Sequence, residues 1–261
     1  MKQIIVSATL LIAIVAKAQV SKIPLGKIVH LESSSKLSTK VNMMGQEMEI
    51  PATTTLMVDL VPKSIDANTL NTGVTLRKVF GSSSMMGQEM TFSSDDKSVA
   101  SIPQAAELMK NLNKEEDVAL EDGKIKGKAN VGMSGLPTNA ELAKMVFLTL
   151  GAANIKEGYK WTEEISNDGS KTNTIYTVTK VTATEIEVTA TTNMKVEGTV
   201  QQMGMDVKQN LTGTTTSVRV YDAATAILKA DATKTEMSGT VLAMGNEAPV
   251  SISTITTTTV K

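Results

Sequence analysis

The chain has 261 residues, of which 26 are basic and 27 acidic, and it contains no cysteine. The near-neutral balance makes nucleic acid a poor candidate partner, and the lack of thiols excludes disulfides and a cysteine-linked lipid anchor. Aromatic residues make up only 3% of the chain, which disfavours a site that stacks sugars or bases.

The first 18 residues predict a secretory signal peptide. Lys2 precedes an apolar run at residues 4–16, and Ala16-Lys17-Ala18 forms a small-x-small cleavage site. The run is shorter than the ~20 residues that a transmembrane helix requires. We expect an exported protein, periplasmic or secreted and not a lipoprotein, without a transmembrane segment in the mature chain. Loss of Lys2 and Lys17 would leave 24 basic and 27 acidic residues.

A six-residue repeat indicates an internal duplication. Met43-Met44-Gly45-Gln46-Glu47-Met48 recurs without change at residues 85–90, and looser copies surround Gly204 and Gly245. Two similar spacings between these glycines flank a long one, as expected for a duplicated unit. The predicted domains are a first β unit at 19–97, a helix-containing connection at 98–157, and a larger β unit at 158–261.

Alternating apolar and polar residues predict strands through both units. Each Met-Gly pair is typical of a tight hairpin turn, as are Asp122-Gly123 and Asp168-Gly169. Asn71-Thr72-Gly73 also predicts a turn. Threonine is expected mainly on outward positions. The predicted strands include 27–32, 36–43, 46–50, 53–61, 74–80, 90–92, 160–166, 172–181, 191–201, 205–211, 214–221, 227–237 and 240–260.

Two short helices are predicted between the units. Ala105, Leu108, Met109 and Leu112 share one helical face, with Ser101 as a candidate N-cap. A second helix contains Leu142, Met145, Val146 and Leu150, with Thr138 or Asn139 as its cap and Gly151 as its end. The expected fold is mainly antiparallel β, with two curved, incomplete-barrel or sandwich-like units whose concave face the helices cover.

Methionine is the conspicuous excess, with 16 in the chain. Three interpretations remain open: methionine fills irregular gaps in the core, lines an adaptable apolar cavity, or binds Cu(I) through its thioethers. Trp161 either packs beneath the sheet or serves as a ligand platform. The candidate ligand-binding residues are Met44, Met48, Met86, Met90, Met203, Met205 and Trp161.

The sequence contains no credible catalytic set. His30 is the only histidine, so it lacks a histidine or cysteine partner. Gly132-Met133-Ser134-Gly135 does not have the spacing of a nucleophile elbow. Adjacent acids such as Glu163-Glu164 point to opposite faces of a strand and are expected on the surface. We therefore predict a protein that is not an enzyme and has no cofactor or metal.

Several segments together carry a family resemblance. They are Val74-Thr75-Leu76-Arg77-Lys78-Val79, Phe92-Ser93-Ser94-Asp95, Gly123-x-Ile125-x-Gly127, Gly158-x-x-Trp161 and Val218-x-Val220-Tyr221-Asp222. In this order they resemble the domain of unknown function family 6263, which consists of uncharacterised exported proteins from bacteria with an outer membrane. Ala223-Ala224 departs from the Thr-Gly expected after Asp222. The family has no assigned activity, so the resemblance implies only an exported, β-rich architecture.

The leading functional hypothesis is a non-enzymatic envelope protein that binds an apolar, lipid-like ligand or a protein partner in a concave β surface. One alternative is a structural or surface-assembly protein without a small-molecule ligand. A lesser alternative is methionine-based Cu(I) binding.

Overall fold

The structure is a computed structural model that describes the chain from residue 22 to 261 with internal gaps. The described residues are 22–43, 46–66, 68–85, 88–96, 111–126, 137–167, 169–202, 205–243 and 246–261. Within these ranges the fold is mainly β, as predicted.

Twelve strands and one α-helix form the described architecture. The strands are β1 (Val29–Met43), β2 (Gln46–Asp66), β3 (Thr69–Met85), β4 (Gln88–Ser93), β5 (Glu115–Glu121), β6 (Lys124–Ile125), β7 (Lys160–Asn167), β8 (Ser170–Val181), β9 (Glu185–Gln202), β10 (Met205–Asp222), β11 (Leu228–Ala243) and β12 (Asn246–Val260). Helix α1 (Asn139–Val146) and a 3₁₀ turn (Ala152–Asn154) lie between β6 and β7.

All twelve strands belong to one antiparallel sheet. Its order is β6-β5-β3-β2-β1-β12-β11-β10-β9-β8-β7. Strand β4 lies outside this order and pairs with residues 80–85 of β3. The first and last strands pair with each other from Leu31↔Val260 to Val41↔Val250. The two predicted units therefore continue into each other through one sheet, and the structure does not show them as separate bodies.

The strand order nevertheless follows the predicted repeat. Strands β1 to β4 form one meander and β9 to β12 form another. Four hairpins close at Met43↔Gln46, Met85↔Gln88, Gln202↔Met205 and Ala243↔Asn246. Each leaves a two-residue Met-Gly loop whose residues lie outside the described ranges. Because the strands alternate in direction, all four loops join the sheet at the same end, called the tip end below.

One face of the sheet, the inner face, carries the core at the end opposite the tips. Alternate residues of β2, including Leu56, Val58 and Leu60, are almost completely buried there. Leu142, Ala143 and Val146 of helix α1 pack against this core. The helix contacts β3, β5 and β6 and thus covers the inner face at this end.

Helix α1 begins where the sequence predicted. Thr138 is its N-cap, and Thr138 and Glu141 form a reciprocal capping box. The prediction that it reaches Gly151 is wrong, because the chain turns extended at Phe147, which pairs with Ile227. The other predicted helix, with Ser101, falls mostly outside the described residues, although Leu112 packs against the core.

The strands are longer than predicted. The expected break after residue 32 is absent, because Ser33 is buried in β1 and accepts a hydrogen bond from Thr258 at 2.9 Å. The expected break after residue 50 is absent as well, since β2 runs without interruption from Gln46 to Asp66. The predicted turn at Asn71-Thr72-Gly73 is wrong, since those residues pair with both β2 and β5. The predicted break after residue 237 is also wrong, because β11 continues to Ala243. The Asp122-Gly123 hairpin is confirmed by the pair Glu121↔Lys124. The second predicted hairpin is confirmed by the pair Asn167↔Ser170, although Asp168 itself lies outside the described residues.

Candidate ligand-binding face

The inner face changes character toward the tip end. One row of directly opposed residues crosses eight strands, and every member is only half-buried. The row consists of Ile165, Thr172, Met194, Gly213, Met237, Ile252, Thr39 and Ile50. The next row toward the tips contains Val196, Leu211, Val250, Val41 and Met48. These two rows are here named the apolar zone. Most of their large apolar side chains are incompletely covered, whereas Leu211 and Val250 are buried.

A belt of hydroxyl groups separates the apolar zone from the core. It occupies two rows of the inner face, and its members are Ser35, Thr54, Thr174, Thr192, Thr215, Ser217, Thr233, Thr235, Thr254 and Thr256. Cross-strand hydroxyl pairs lie 2.8 Å apart at Ser35–Thr256, Thr215–Thr235 and Thr174–Thr192. Threonine therefore lines the inner face as well as the outer one, contrary to the expectation that it is mainly outward.

A buried charged pair ends this hydroxyl belt at β7. Lys144 of α1 donates to Glu163 and, at 2.8 Å, to the phenol oxygen of Tyr176. The side chains of Lys144 and Glu163 are only 10% and 13% exposed. The prediction that Glu163 decorates the surface is therefore wrong, because it lies on the inward register of β7, opposite Thr174.

The environment of Lys144 shifts its protonation equilibrium. Burial, reinforced by the guanidinium of Arg219, lowers the pKa of Lys144 to about 7. The carboxylate of Glu163, in contact with the ammonium group, acts in the opposite direction and favours the charged form. Burial also raises the pKa of Tyr176, so its phenol keeps its proton at neutral pH. These groups join the helix to the sheet.

A second ion pair lies deeper beneath the belt. Arg219 faces Asp231, with 3.4 Å between Nε and Oδ1, and the Asp231 side chain is 1% exposed. Ser217 donates to Asp231 at 2.6 Å and Thr233 donates to it at 2.8 Å. The carboxylate is therefore satisfied by three neighbours, as a buried charge requires.

Three aromatic rings stack beside these charges. Trp161 lies 4.8 Å from Tyr176 and 6.0 Å from Tyr159, measured between ring centroids. The indole nitrogen of Trp161 is buried without a hydrogen-bond partner, and it points at Gly123 in the β5–β6 turn. Trp161 thus packs on the inner face. It brings edge strand β7 into contact with the β5–β6 turn, which lies at the other end of the strand order.

The predicted ligand-binding residues are only partly brought together. Met48 lies in the apolar zone, and Trp161 lies at the end of the hydroxyl belt. Met90 shares the inner register through Ser83 and is 51% exposed. It lies two strands and four residues from Met48, or roughly 16 Å, which is too far for one shared ion. Met205 begins β10.

Met44, Met86 and Met203 lie outside the described residues. Ligand binding by the seven predicted residues remains a prediction.

The described ranges contain an open depression that crosses β9, β10 and β11 near Gly213. Its volume is about 480 Å³. Five of its eight lining residues are exposed polar ones. In the same ranges, no three His, Asp or Glu side chains are grouped closely enough to hold a metal ion. No described helix has the length and apolar character needed to cross a bilayer.

Comparison with solved structures reveals distant likenesses. The chain resembles a structure of lipovitellin determined for its lipid–protein interactions, with 12% identity and a TM-score of 0.49, over 92% of this chain. The chain spans only 25% of the lipovitellin chain. It also resembles an outer membrane channel from Pseudomonas putida F1, with 9% identity and a TM-score of 0.31, over 92% of this chain and 97% of the channel. Such TM-scores support no functional assignment.

No curated protein matches the chain. A family profile does match residues 140–228, which contain most of α1 and strands β7 to β10. Two of the segments that carry the sequence resemblance, Gly158-x-x-Trp161 and Val218-x-Val220-Tyr221-Asp222, fall within this match. Residues 140–228 thus match the model of the "Family of unknown function (DUF6263)", which confirms the predicted resemblance.

Proposed function

We propose that this protein is a non-enzymatic carrier that binds an apolar ligand on the inner face of its sheet, at the tip end. The apolar zone is the observation that carries the proposal. Core residues of the same face, such as Leu31 and Val58, are 2% and 1% exposed. Ile50, Met237 and Ile252 of the apolar zone keep the inward register but are only half-buried.

The uncovered surface sets the affinity to expect. Complete burial of one large apolar side chain contributes about 1.5–3 kcal/mol, so covering a half-buried one adds roughly 1 kcal/mol. Five such side chains (Ile50, Ile165, Met194, Met237 and Ile252) would supply roughly 5 kcal/mol. That corresponds to a dissociation constant between roughly micromolar and millimolar, so binding must be assayed at high micromolar protein.

The matched experiment uses two isoleucines of β12. Ile252 lies in the apolar zone, whereas Ile255 lies on the outer face and is 54% exposed. The full chain is titrated with N-phenyl-1-naphthylamine, a neutral apolar probe, and energy transfer from Trp161, the only tryptophan, reports binding. Ile252→Gln should weaken binding several-fold, and Ile255→Gln should leave it unchanged. Equal effects of the two substitutions, or no binding by the unsubstituted chain, would reject the proposal.

We place this carrier in the cell envelope because residues 1–18 have the pattern of a secretory signal peptide. Fractionation of cells that express the full chain should yield a periplasmic or secreted product beginning at Gln19. Retention of an uncleaved chain in the cytoplasm would contradict this location.

A further inference from the structure

We infer that the ligand is an uncharged amphiphile whose acceptor-rich head, such as an ester or glyceride group, lies on the hydroxyl belt while its chain covers the apolar zone. This inference rests on the proposed function and specifies the ligand class of the same face. It follows from the order of polar and apolar rows along the strands.

The hydroxyl belt offers hydrogen-bond donors directly beside the apolar zone. In each hydroxyl pair one proton is used within the pair, and the second hydroxyl proton remains for another acceptor. Thr215 and Thr235 form such a pair at 2.8 Å, and both side chains are half-buried. Gly213 and Met237 of the apolar zone lie on the same two strands, two residues closer to the tip end. One extended molecule can therefore contact both kinds of surface.

The charges around the belt disfavour an ionic head. Lys144 is paired with Glu163, and Arg219 is paired with Asp231. Each cation on the inner face near the belt, within the described part of the chain, thus has its own carboxylate. A carboxylate or phosphate head would have to displace one of these acids, whereas an ester or hydroxyl head needs only the belt.

The length of the combined surface also suits an amphiphile. The belt occupies two inward rows and the apolar zone occupies two more. Because every second residue of a strand points inward, successive rows lie two residues, or about 6.6 Å, apart along the strand. Four rows span about 20 Å, which matches the length of an extended acyl chain with a small head. A wholly apolar ligand of that length would leave the belt's donors without partners, which costs about 1–3 kcal/mol for each donor removed from water.

The test compares three probes that share a long chain: 1-monooleoylglycerol, oleate and 1-octadecene. Each is delivered from cyclodextrin to the full chain and competes with N-phenyl-1-naphthylamine. We expect monooleoylglycerol to bind at least tenfold more tightly than octadecene and more tightly than oleate. In Thr215→Val/Thr235→Val this advantage should fall at least fivefold, because monooleoylglycerol loses two donors while octadecene, which no longer leaves them without partners, binds at least as tightly as before.

Thr214→Val/Thr216→Val is the matched control, because both residues are exposed on the outer face of β10. It should bind all three probes like the unsubstituted chain, and circular dichroism verifies that both double variants are folded. Equal affinity for monooleoylglycerol and octadecene, or tightest binding of oleate, would overturn the inference but leave the carrier proposal standing. Failure of every probe to bind would reject the carrier proposal itself.

Discussion

Gly123 lies in the β5–β6 turn, at one end of the strand order, and faces Trp161 of β7, the strand at the other end. A substitution at Gly123 therefore tests the contact between these two edges of the sheet. The φ of Gly123, +77°, lies in the left-handed region. A Cβ at this position would lie 3.2 Å from Leu150 Cδ2 and 3.3 Å from Trp161 Nε1. Gly123→Ala must therefore strain the backbone and also push the β5–β6 turn away from β7.

Gly158 separates these two effects. Its φ is +82°, but a Cβ there would meet no atom within 4 Å. An alanine in the left-handed region costs about 1–2 kcal/mol, and mild overpacking adds about 1 kcal/mol. We expect Gly158→Ala to lower the free energy of unfolding by about 1–2 kcal/mol and Gly123→Ala to lower it by about 2–3 kcal/mol.

The measurement is urea denaturation followed by the fluorescence of Trp161, the only tryptophan. Because Gly123 faces its indole nitrogen, Gly123→Ala should also shift the native emission to longer wavelength, and Gly158→Ala should not. If the two variants lose stability equally, within about 0.5 kcal/mol, and their native spectra are the same, the contact between the β5–β6 turn and β7 is not what closes this end.

Two further predictions concern charged groups. Lys144→Met leaves Glu163 buried without its partner and should cost about 3 kcal/mol, whereas Lys144→Met/Glu163→Gln should recover part of that loss; urea denaturation at pH 7 checks both, and an additive double variant would contradict the coupling. Burial opposes ionisation of Asp59, but hydrogen bonds from Arg77 and His30 outweigh it and hold its pKa below the usual value. Their stabilisation is present above about pH 4 and is lost as pH falls through the lowered pKa, so Asp59→Asn should flatten the acid limb of a stability–pH profile.

Local chemistry made much of the fold predictable. The Met-Gly, Asp122-Gly123 and Asp168-Gly169 pairs mark hairpins because glycine adopts the positive φ of tight turns. Thr138 followed by Glu141 marks the start of α1 because the two residues satisfy each other's backbone donors. Signals of this kind depend only on neighbouring residues, so they survive in the final structure.

The inner face was harder to predict because its rows alternate in chemistry. A search for inward residues assumes that they are apolar, and Thr192, Thr215 and Thr235 violate this assumption on three adjacent strands. The surface prediction for Glu163 has a different origin, namely its pairing with the adjacent acid Glu164, and no neighbouring residue indicates its partner Lys144, which lies on a separate element. The signal is nevertheless present in the sequence of β9. Its inward positions change from Ile186 and Val188 to Thr192, and then back to Met194.

The pairing of β1 with β12 could not be predicted from neighbouring residues either, because the two strands lie at opposite ends of the described chain. The position of all four Met-Gly hairpins at one end of the sheet depends on this pairing. Because β1 and β12 run antiparallel, the four Met-Gly hairpins of the two meanders have their last described strand pairs at the same end of the sheet. A parallel contact would have separated the two halves of the apolar zone. An engineered disulfide can test this register, since the chain has no native cysteine.

Ser38 and Ser253 are directly opposed in β1 and β12, and opposed Cα atoms lie about 4.5–5.5 Å apart, within the reach of a disulfide. Ser38→Cys/Ser253→Cys should therefore oxidise to an intramolecular bridge that resists unfolding on a non-reducing gel. Ser38→Cys/Thr257→Cys is the control, because four residues along a strand add about 13 Å and should prevent the bridge. Preferential bridging in the control would place β12 in another register, and the rows that define the apolar zone and the hydroxyl belt would then no longer align.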